Sequence, residues 1–572
     1  MFTRENLLRT EVFPAELPPC FGTSTLASCV NEVIGVANAS NQTYSIPLKY
    51  SGYKSESSRR KFAIPNPYHY CKAVDTIVRN EPQLSTIFKK STYSLTAPID
   101  KPAKPHQAYA KKSGSIADTK EEIEKQYKDN RYEIRLDISS FFDNIYTHSI
   151  PWAIHTIEVA KKNQKDKTLL GNQLDRCMQA LNYNQTNGIL IGNAVSRIIA
   201  EIILCTVDEA VQKKFPQITC RRFVDDYYIY TQDSGRIQEI ISFVRSNLAQ
   251  YELSFNENKL QINESPFLYG KPWVEEIKQY MHLQPDVFLS KVIMEYNAHK
   301  DITIVKYGLK VIEQCKYSRK NWPAMQSRII NLWVRFPSLS DRILPMLWMN
   351  KDKISKTVLK NAIYSVVEES LLLNREQELV WAIWYARVFD IDLRQSCVLS
   401  VLKSASDVAI IVMLDYIYKN GLQNSSKIKP QLLALHNKLA DEDTDDSGNP
   451  NQLMWTAHWL LAYEADRNGW LNVNGQTFNY AQTNSFFNKL LAKGVKFYDT
   501  DFAYDEPPQK TKNYEYATRS EMYAALNRLK KKIMERLRRE GIVDRFEMVP
   551  DEEELYEEFV RAWEQEESVY VG

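Results

Sequence analysis

Two stretches decide the fold. The first is Leu136-Asp137-Ile138-Ser139-Ser140-Phe141-Phe142-Asp143-Asn144-Ile145, which continues the run Tyr132-Glu133-Ile134-Arg135. It reads as a strand ending in a carboxylate. The second, about 90 residues later, is Arg221-Arg222-Phe223-Val224-Asp225-Asp226-Tyr227-Tyr228-Ile229-Tyr230. It reads as a hairpin with acidic residues at its tip. Adjacent carboxylates inside an apolar, aromatic strand pattern repel one another and lose hydration. A divalent cation removes both penalties, and hard oxygen ligands of this kind suit magnesium or manganese. One carboxylate site on each of two neighbouring strands can hold two ions for in-line displacement at phosphorus.

Between and after these segments the hydrophobic period changes. NAVSRIIAEIILCTVDEAVQKKF, residues 193–215, has helical spacing and predicts a long helix. IQEIISFVRSNLAQYEL, residues 237–253, predicts another. Strand, helix, hairpin and helix in this order describe an α+β sheet backed by helices. Upstream, residues 51–112 carry twelve Lys/Arg against four Asp/Glu, interleaved with Tyr, Ser and Pro. Basic residues among aromatics suit phosphate contact and base stacking.

Beyond about residue 290 strand signals fade. VLKNAIYSVVEESLLL, QELVWAIWYARVF, DVAIIVMLDYIYKNG and QLMWTAHWLLAYEADRNG follow one another as expected helices with short connectors. A HEAT-like stack of helical hairpins is the economical reading. The expected domains are 1–289, 290–545 and an acidic tail at 546–572. Just before that tail, RLKKKIMERLRR at 528–539 holds seven basic residues and one acidic. It is a candidate nucleic-acid contact. The acidic loop at 441–452 has Gly448 where a calcium loop starting at Asp443 needs it, but Met454 stands where the bidentate Glu belongs. It reads as a solvated connector.

Composition bounds the rest. The chain has 572 residues, 44% hydrophobic and 25% charged, with a formal net charge of +2. Those are values of a folded protein, and they advertise no polyanionic partner through global charge. The eight cysteines form no CxxC pair, so reduced thiols in a cytoplasmic protein are expected rather than a zinc ribbon. No secretory signal and no apolar run long enough for a membrane span is read. No H-E-x-x-H, G-x-S-x-G or Walker A loop occurs, which leaves metallohydrolase, serine hydrolase and ATPase readings without support.

The two carboxylate segments resemble the palm of reverse transcriptases. LDISSFFDNI is similar to polymerase motif A, with Asp137 as a metal carboxylate and the Ile138 carbonyl as a further ligand. FVDD resembles motif C, with Asp225 and Asp226 as its catalytic pair and Phe223 where Tyr is usual. Phe142 falls where this family places its bulky steric gate against the 2′ position of the incoming sugar. Asn187-Gly188-Ile189-Leu190-Ile191-Gly192 resembles motif B, with Gly192 toward the nucleotide. Leu190 and Ile191 replace the usual Pro and Gln. Asn256, Lys259 and Leu260 resemble motif D, whose Lys lies near the leaving phosphate as a proton donor.

RRKFAIPNPYHY, residues 59–70, is similar to the fingers of bacterial abortive-infection and defence-associated reverse transcriptases. That resemblance implies reverse-transcriptase-like fingers and palm followed by an all-α HEAT-like domain. It implies an antiphage DNA polymerase that uses two Mg²⁺ or Mn²⁺ ions and dNTPs, with Arg59 and Arg60 contacting nucleotide. It also implies a cytoplasmic homo-oligomer releasing single-stranded DNA. Some relatives extend a tyrosine hydroxyl of their own without a template; others copy an associated non-coding RNA. Tyr44, Tyr50 and Tyr570 are the candidate priming residues, chosen as non-core positions. A catalytically inactive palm that senses phage or nucleic acid is the alternative from another class.

Overall fold

Alternation of Ile134 and Leu136 with polar neighbours makes Tyr132–Asp137 a strand, with both apolar side chains buried on one face. The structure of the chain, a computed structural model, describes residues 1–104, 107–113, 116–281, 283–313, 317, 319–444 and 452–504, without the side chains of Ile116 and Ala117. Tyr570, the tail 546–572, the basic run 528–539 and residues 445–451 of the acidic loop lie outside the described residues.

The strands are β1 (Leu48–Tyr53), β2 (Arg59–Ile64), β3 (Tyr132–Asp137), β4 (Thr219–Phe223), β5 (Asp226–Thr231) and β6 (Gln261–Glu264). β1 and β2 form a separate antiparallel hairpin. The other four make one antiparallel sheet in the order β4-β5-β3-β6. The expected hairpin is β4–β5, and its turn is the pair Val224-Asp225. Among the described residues no ladder strand follows Glu264.

The long helix runs over Ala194–Lys214, where the side chain of Asn193 accepts from the Ser196 amide as its N-cap. Its buried face reaches from Ala194 to Val211, and it meets the sheet through Arg222 of β4. The second expected helix is Ile237–Ala249, and Phe215 and Phe243 meet edge to face where the two helices touch.

The described chain separates into two compact units. The first takes in the described residues of Met1–Gly270, Val334–Asp341 and Lys356–Asp505. Its helical part contains Lys356–Leu372, Glu376–Val388, Gln395–Leu402, Asp407–Lys419, Ile428–Asp441 and Trp459–Asn468, each packed on a near neighbour in sequence. The open edge of β1 is covered by the start of one of these helices. The Ser51 amide donates to Glu376 (2.8 Å) and the Tyr53 amide to Gln377 (2.8 Å). A bare strand edge is thereby satisfied from a helix over 300 residues away.

The second unit contains the helices Trp273–Gln279, Pro285–His299 and Ile302–Ile312. Gly308 lets two of them touch, since a Cβ there would lie 2.6 Å from the Val292 methyls.

One helix expectation needs correction. QLMWTAHWLLAYEADRNG is not continuous: a short 3₁₀ turn covers Leu453–Trp455, and the α-helix starts at Trp459. Thr456 is extended, and its hydroxyl accepts from the His458 amide at 3.1 Å. A local side-chain bond competes there with the helical backbone.

Candidate active site

Three aspartates stand where β3 meets the β4–β5 turn. Asp137 ends β3, Asp226 begins β5, and the two are partners in the antiparallel register. Asp225 precedes Asp226 in the turn, and its carbonyl receives the Ile138 amide at 3.4 Å. The segment resembling motif D is joined to the same point. The Asn256 amide donates to the Asp137 carbonyl (2.7 Å), and Lys259 Nζ lies 2.9 Å from Asp137 Oδ2. Asp137, Asp226, Lys259, Arg135, Tyr228 and Gln261 line an open pocket of 190 Å³.

The electrostatics of this cluster are those of crowded anions. Burial, then the charges of Asp225 and Asp137, push the Asp226 carboxyl up to about 6. Burial also raises Asp225; Asp137 adds to the rise, while Lys259 and Arg60 oppose it. A hard divalent cation fits this donor set, since three carboxylates sharing one close ammonium leave negative charge unbalanced.

Strand alternation splits the two predicted arginines of β2. Arg60 is exposed and is near enough to Asp225 to act on its charge. Arg59 points elsewhere: its guanidinium grips Glu378 through two bonds of 2.6 and 2.7 Å, and Glu378 is only 2% exposed. Arg59 also donates to the Ser51 carbonyl at 2.9 Å. It ties β1 and β2 to the helix Glu376–Val388.

The two phenylalanines separate as well. Phe141 is 2% exposed and belongs to the core, whereas Phe142 is partly exposed. Ser140 takes a left-handed conformation (φ 42°) just before them. The Phe142 carbonyl accepts from the Ile189 amide (2.9 Å), and the Ile145 carbonyl accepts from that of Gly188 (2.9 Å). The segment resembling motif B therefore runs beside motif A. It also touches the β1–β2 hairpin, through the Ala63 amide on the Ile191 carbonyl at 3.1 Å. Gly192 has φ 106°, and a Cβ there would sit 3.1 Å from Pro14 and 3.2 Å from Phe62. Only glycine suits that conformation and that space. Leu190 is buried.

The candidate priming tyrosines differ in access. Tyr44 is 37% exposed and meets the Tyr183 ring edge to face. Tyr50 is 1% exposed; it is held in the core of the β1 face and its hydroxyl is not presented as a nucleophile.

One residue at the centre of the site escaped the sequence reading. Arg222 of β4 is fully buried and pairs with Glu201 (2.9 Å) and Asp208 (2.8 Å) of the long helix. Its Nη1 also donates to the Val224 carbonyl at 2.7 Å. A charged residue alternating into the apolar face of FVDDYY was the available signal.

Residues 69–278 match the reverse transcriptase (RNA-dependent DNA polymerase) family. This part of the chain carries a polymerase domain of the reverse-transcriptase type, with an α+β core, and a helix-rich region follows it. No curated protein matches the sequence. Solved structures that match include telomerase from Candida albicans in complex with a fragment of telomeric RNA, at 13% identity and TM-score 0.27 over 60% of this chain and 66% of that one. Apo telomerase from Candida tropicalis matches at 11% identity and TM-score 0.30, over 76% and 74%. Its form truncated from the C-terminal domain matches at 13% and 0.27, over 43% and 56%. The chain thus spans under two thirds of the first and last of these. Among the described residues no helix is long and apolar enough to cross a membrane.

Proposed function

We propose that this chain is a metal-dependent DNA polymerase of the reverse-transcriptase type that serves antiphage defence in the cytoplasm. The observation that carries the chemistry is the meeting of Asp137, Asp225 and Asp226 at one strand junction, with Asp226 pushed up to about 6. Asp137, Asp225, Asp226 and the Ile138 carbonyl would hold two Mg²⁺ or Mn²⁺ ions. When bound, these ions supply Lewis-acid stabilisation of the phosphoryl group and of the departing pyrophosphate.

The remaining roles fall to side chains. Lys259, whose side chain is 60% exposed, donates a proton toward the leaving phosphate. Arg60 meets the triphosphate of the incoming dNTP. Phe142 stands against the 2′ position of its sugar and excludes a hydroxyl. Gly192 keeps the motif B turn close to the fingers, where a side chain would push it out.

The defence role and the place among abortive-infection and defence-associated reverse transcriptases rest on the resemblance of residues 59–70 and on the helical region after the palm. Homo-oligomer formation and release of single-stranded DNA are part of the same proposal. Exposed Tyr44 is favoured over buried Tyr50 as the hydroxyl that receives the first nucleotide.

The test is dNTP incorporation by the purified protein, followed by nuclease digestion and denaturing electrophoresis. Asp225→Ala/Asp226→Ala should abolish incorporation, and so should EDTA. Label that stays on the protein band after digestion supports tyrosine priming. Label found wholly on protein-free DNA copied from a co-purified RNA moves the RNA-templated reading to first place. Continued synthesis by the double variant overturns the polymerase assignment.

A further inference from the structure

The turn that presents Asp225 and Asp226 is built on an unfavourable backbone. Val224 has φ 55°, a left-handed conformation that a β-branched side chain resists. Such a conformation persists only where its surroundings impose it. Both polar groups of the Val224 backbone are gripped. Its carbonyl accepts from Arg222 Nη1 at 2.7 Å, and its amide donates to Thr96 Oγ1 at 3.1 Å.

Thr96 is itself fixed by the buried ion network. Its hydroxyl donates to Glu201 Oε1 at 2.6 Å, and Thr96 is 5% exposed. Ser94 donates to the other oxygen of Glu201 (2.9 Å), and Ser91 donates to Asp208 (2.6 Å). The backbone follows the same line: the Arg222 amide bonds the Tyr93 carbonyl (2.9 Å) and the Leu95 amide bonds the Arg222 carbonyl (2.8 Å). A strip of hydroxyls, Ser91-Thr92-Tyr93-Ser94-Leu95-Thr96, is thus laid along β4. Through Ser91, Ser94 and Thr96 it adds a second donor to carboxylate oxygens that Arg222 already bonds. At its end the strip holds the carboxylate-bearing turn.

We propose that Thr96 is a positioning residue that clamps the left-handed Val224 turn and so sets Asp225 and Asp226 for metal binding. The second half of this statement rests on the polymerase reading above; the clamp itself does not. Thr96→Val keeps the shape and loses both bonds of the hydroxyl, whereas Thr96→Ser keeps them.

The experiment compares wild type, T96V and T96S in three measurements. These are calorimetric titration with Mn²⁺ alone, hydrogen exchange of the peptide spanning Phe223–Tyr227, and melting temperature. Asp225→Asn/Asp226→Asn serves as the blank for the titration. T96V should bind Mn²⁺ about tenfold more weakly, the factor that loss of a charge-linked hydrogen bond corresponds to. Its Val224 amide should exchange faster. T96S should restore both values, while T96V stays folded at the titration temperature but melts below the other two, since the Val224 amide loses its acceptor. Wild-type exchange in T96V overturns the clamp. Faster exchange with unchanged Mn²⁺ affinity overturns the positioning role, and so does an equal defect in T96S. Should T96V fail to fold, T96A is judged by the same criteria. Wild-type protein that binds no Mn²⁺ above the blank overturns the metal-dependent reading instead, and amide exchange then decides the clamp by itself.

Discussion

Asp137 and Asp226 are register partners across β3 and β5, so the pairing that builds the sheet also presses two carboxylates together. Each strand is stable in the ladder only by bringing its acidic end to its partner's. Burial of this junction, followed by the charges of Asp225 and Asp137, has a measurable cost in metal-free protein. The folded-state pKa of Asp226, about 6, is above the ordinary carboxylate value of 3.8. An acid raised in this way binds its proton more tightly folded than unfolded. Its contribution to stability is therefore fully present below about pH 4 and is lost as pH rises through about 6. The loss at neutral pH is of the order of 2–3 kcal/mol. In EDTA, Asp226→Asn should melt higher than wild type at pH 7.5, and the gap should close toward pH 4. Equal melting temperatures at pH 7.5 would show that the crowding is relieved in solution.

Phe141 and Phe142 give opposite predictions from adjacent positions. Phe141 is 2% exposed, and truncation to Ala should cost about 3–5 kcal/mol through the cavity it leaves. Phe142 is partly exposed, so Phe142→Ala should cost far less stability. It should instead raise ribonucleotide use relative to deoxyribonucleotide use. Urea melts and paired single-nucleotide incorporation assays measure the two effects. Relaxed sugar choice in Phe141→Ala, with none in Phe142→Ala, would reverse the assignment.

Arg59 separates a structural role from the nucleotide contact expected of it. Glu378 is 2% exposed, and Arg59→Met would leave that carboxylate buried without its partner. Breaking a pair of this kind costs about 3–5 kcal/mol, whereas Arg59→Met/Glu378→Met should recover most of it. Denaturant midpoints of the two single variants and the double test this. Unchanged stability with a raised KM for dNTP in Arg59→Met would return Arg59 to the nucleotide.

These three cases show what was legible beforehand. LDISSFF and FVDDYY could be read because their chemistry is local: carboxylates stand in an apolar alternation within a few residues. The helix Ala194–Lys214 announced itself by its apolar spacing. The β1–β2 hairpin did not, because Arg59, Arg60 and Lys61 interrupt the alternation and read as a basic surface. What makes Arg59 structural is Glu378, which no local pattern connects to it. Arg222 was hidden for the same reason, since Glu201 and Asp208 reach it from a different element. The break at Thr456 was obscured by an apolar run on both sides of a single hydroxyl.

His69 is the last case, and it reads on the folding of the helix Pro67–Arg79 at the root of the fingers. Its side chain is 2% exposed, with Nδ1 3.0 Å from the Ser45 hydroxyl. Nε2 is buried with no partner among the described residues. A proton added there would create a buried charge with nothing to accept its N–H, and Lys72 stands nearby to repel it. Burial first, and Lys72 second, lower the His69 pKa to about 3. In the unfolded chain it titrates near its ordinary value of 6.5. The unfolded state therefore takes up the proton first as pH falls. Stability contributed by neutral His69 is intact above about pH 6.5 and is lost progressively toward pH 3, at about 1.4 kcal/mol per pH unit. His69→Gln cannot take up that proton. It should be less stable than wild type at pH 8, because packing and the Ser45 bond are disturbed, yet lose less stability between pH 6.5 and pH 5. Urea midpoints at pH 8, 6.5 and 5 for both proteins measure the difference in slope. Parallel acid limbs would mean that the ring is hydrated or protonated in the folded protein, and that the pocket around Nε2 admits water.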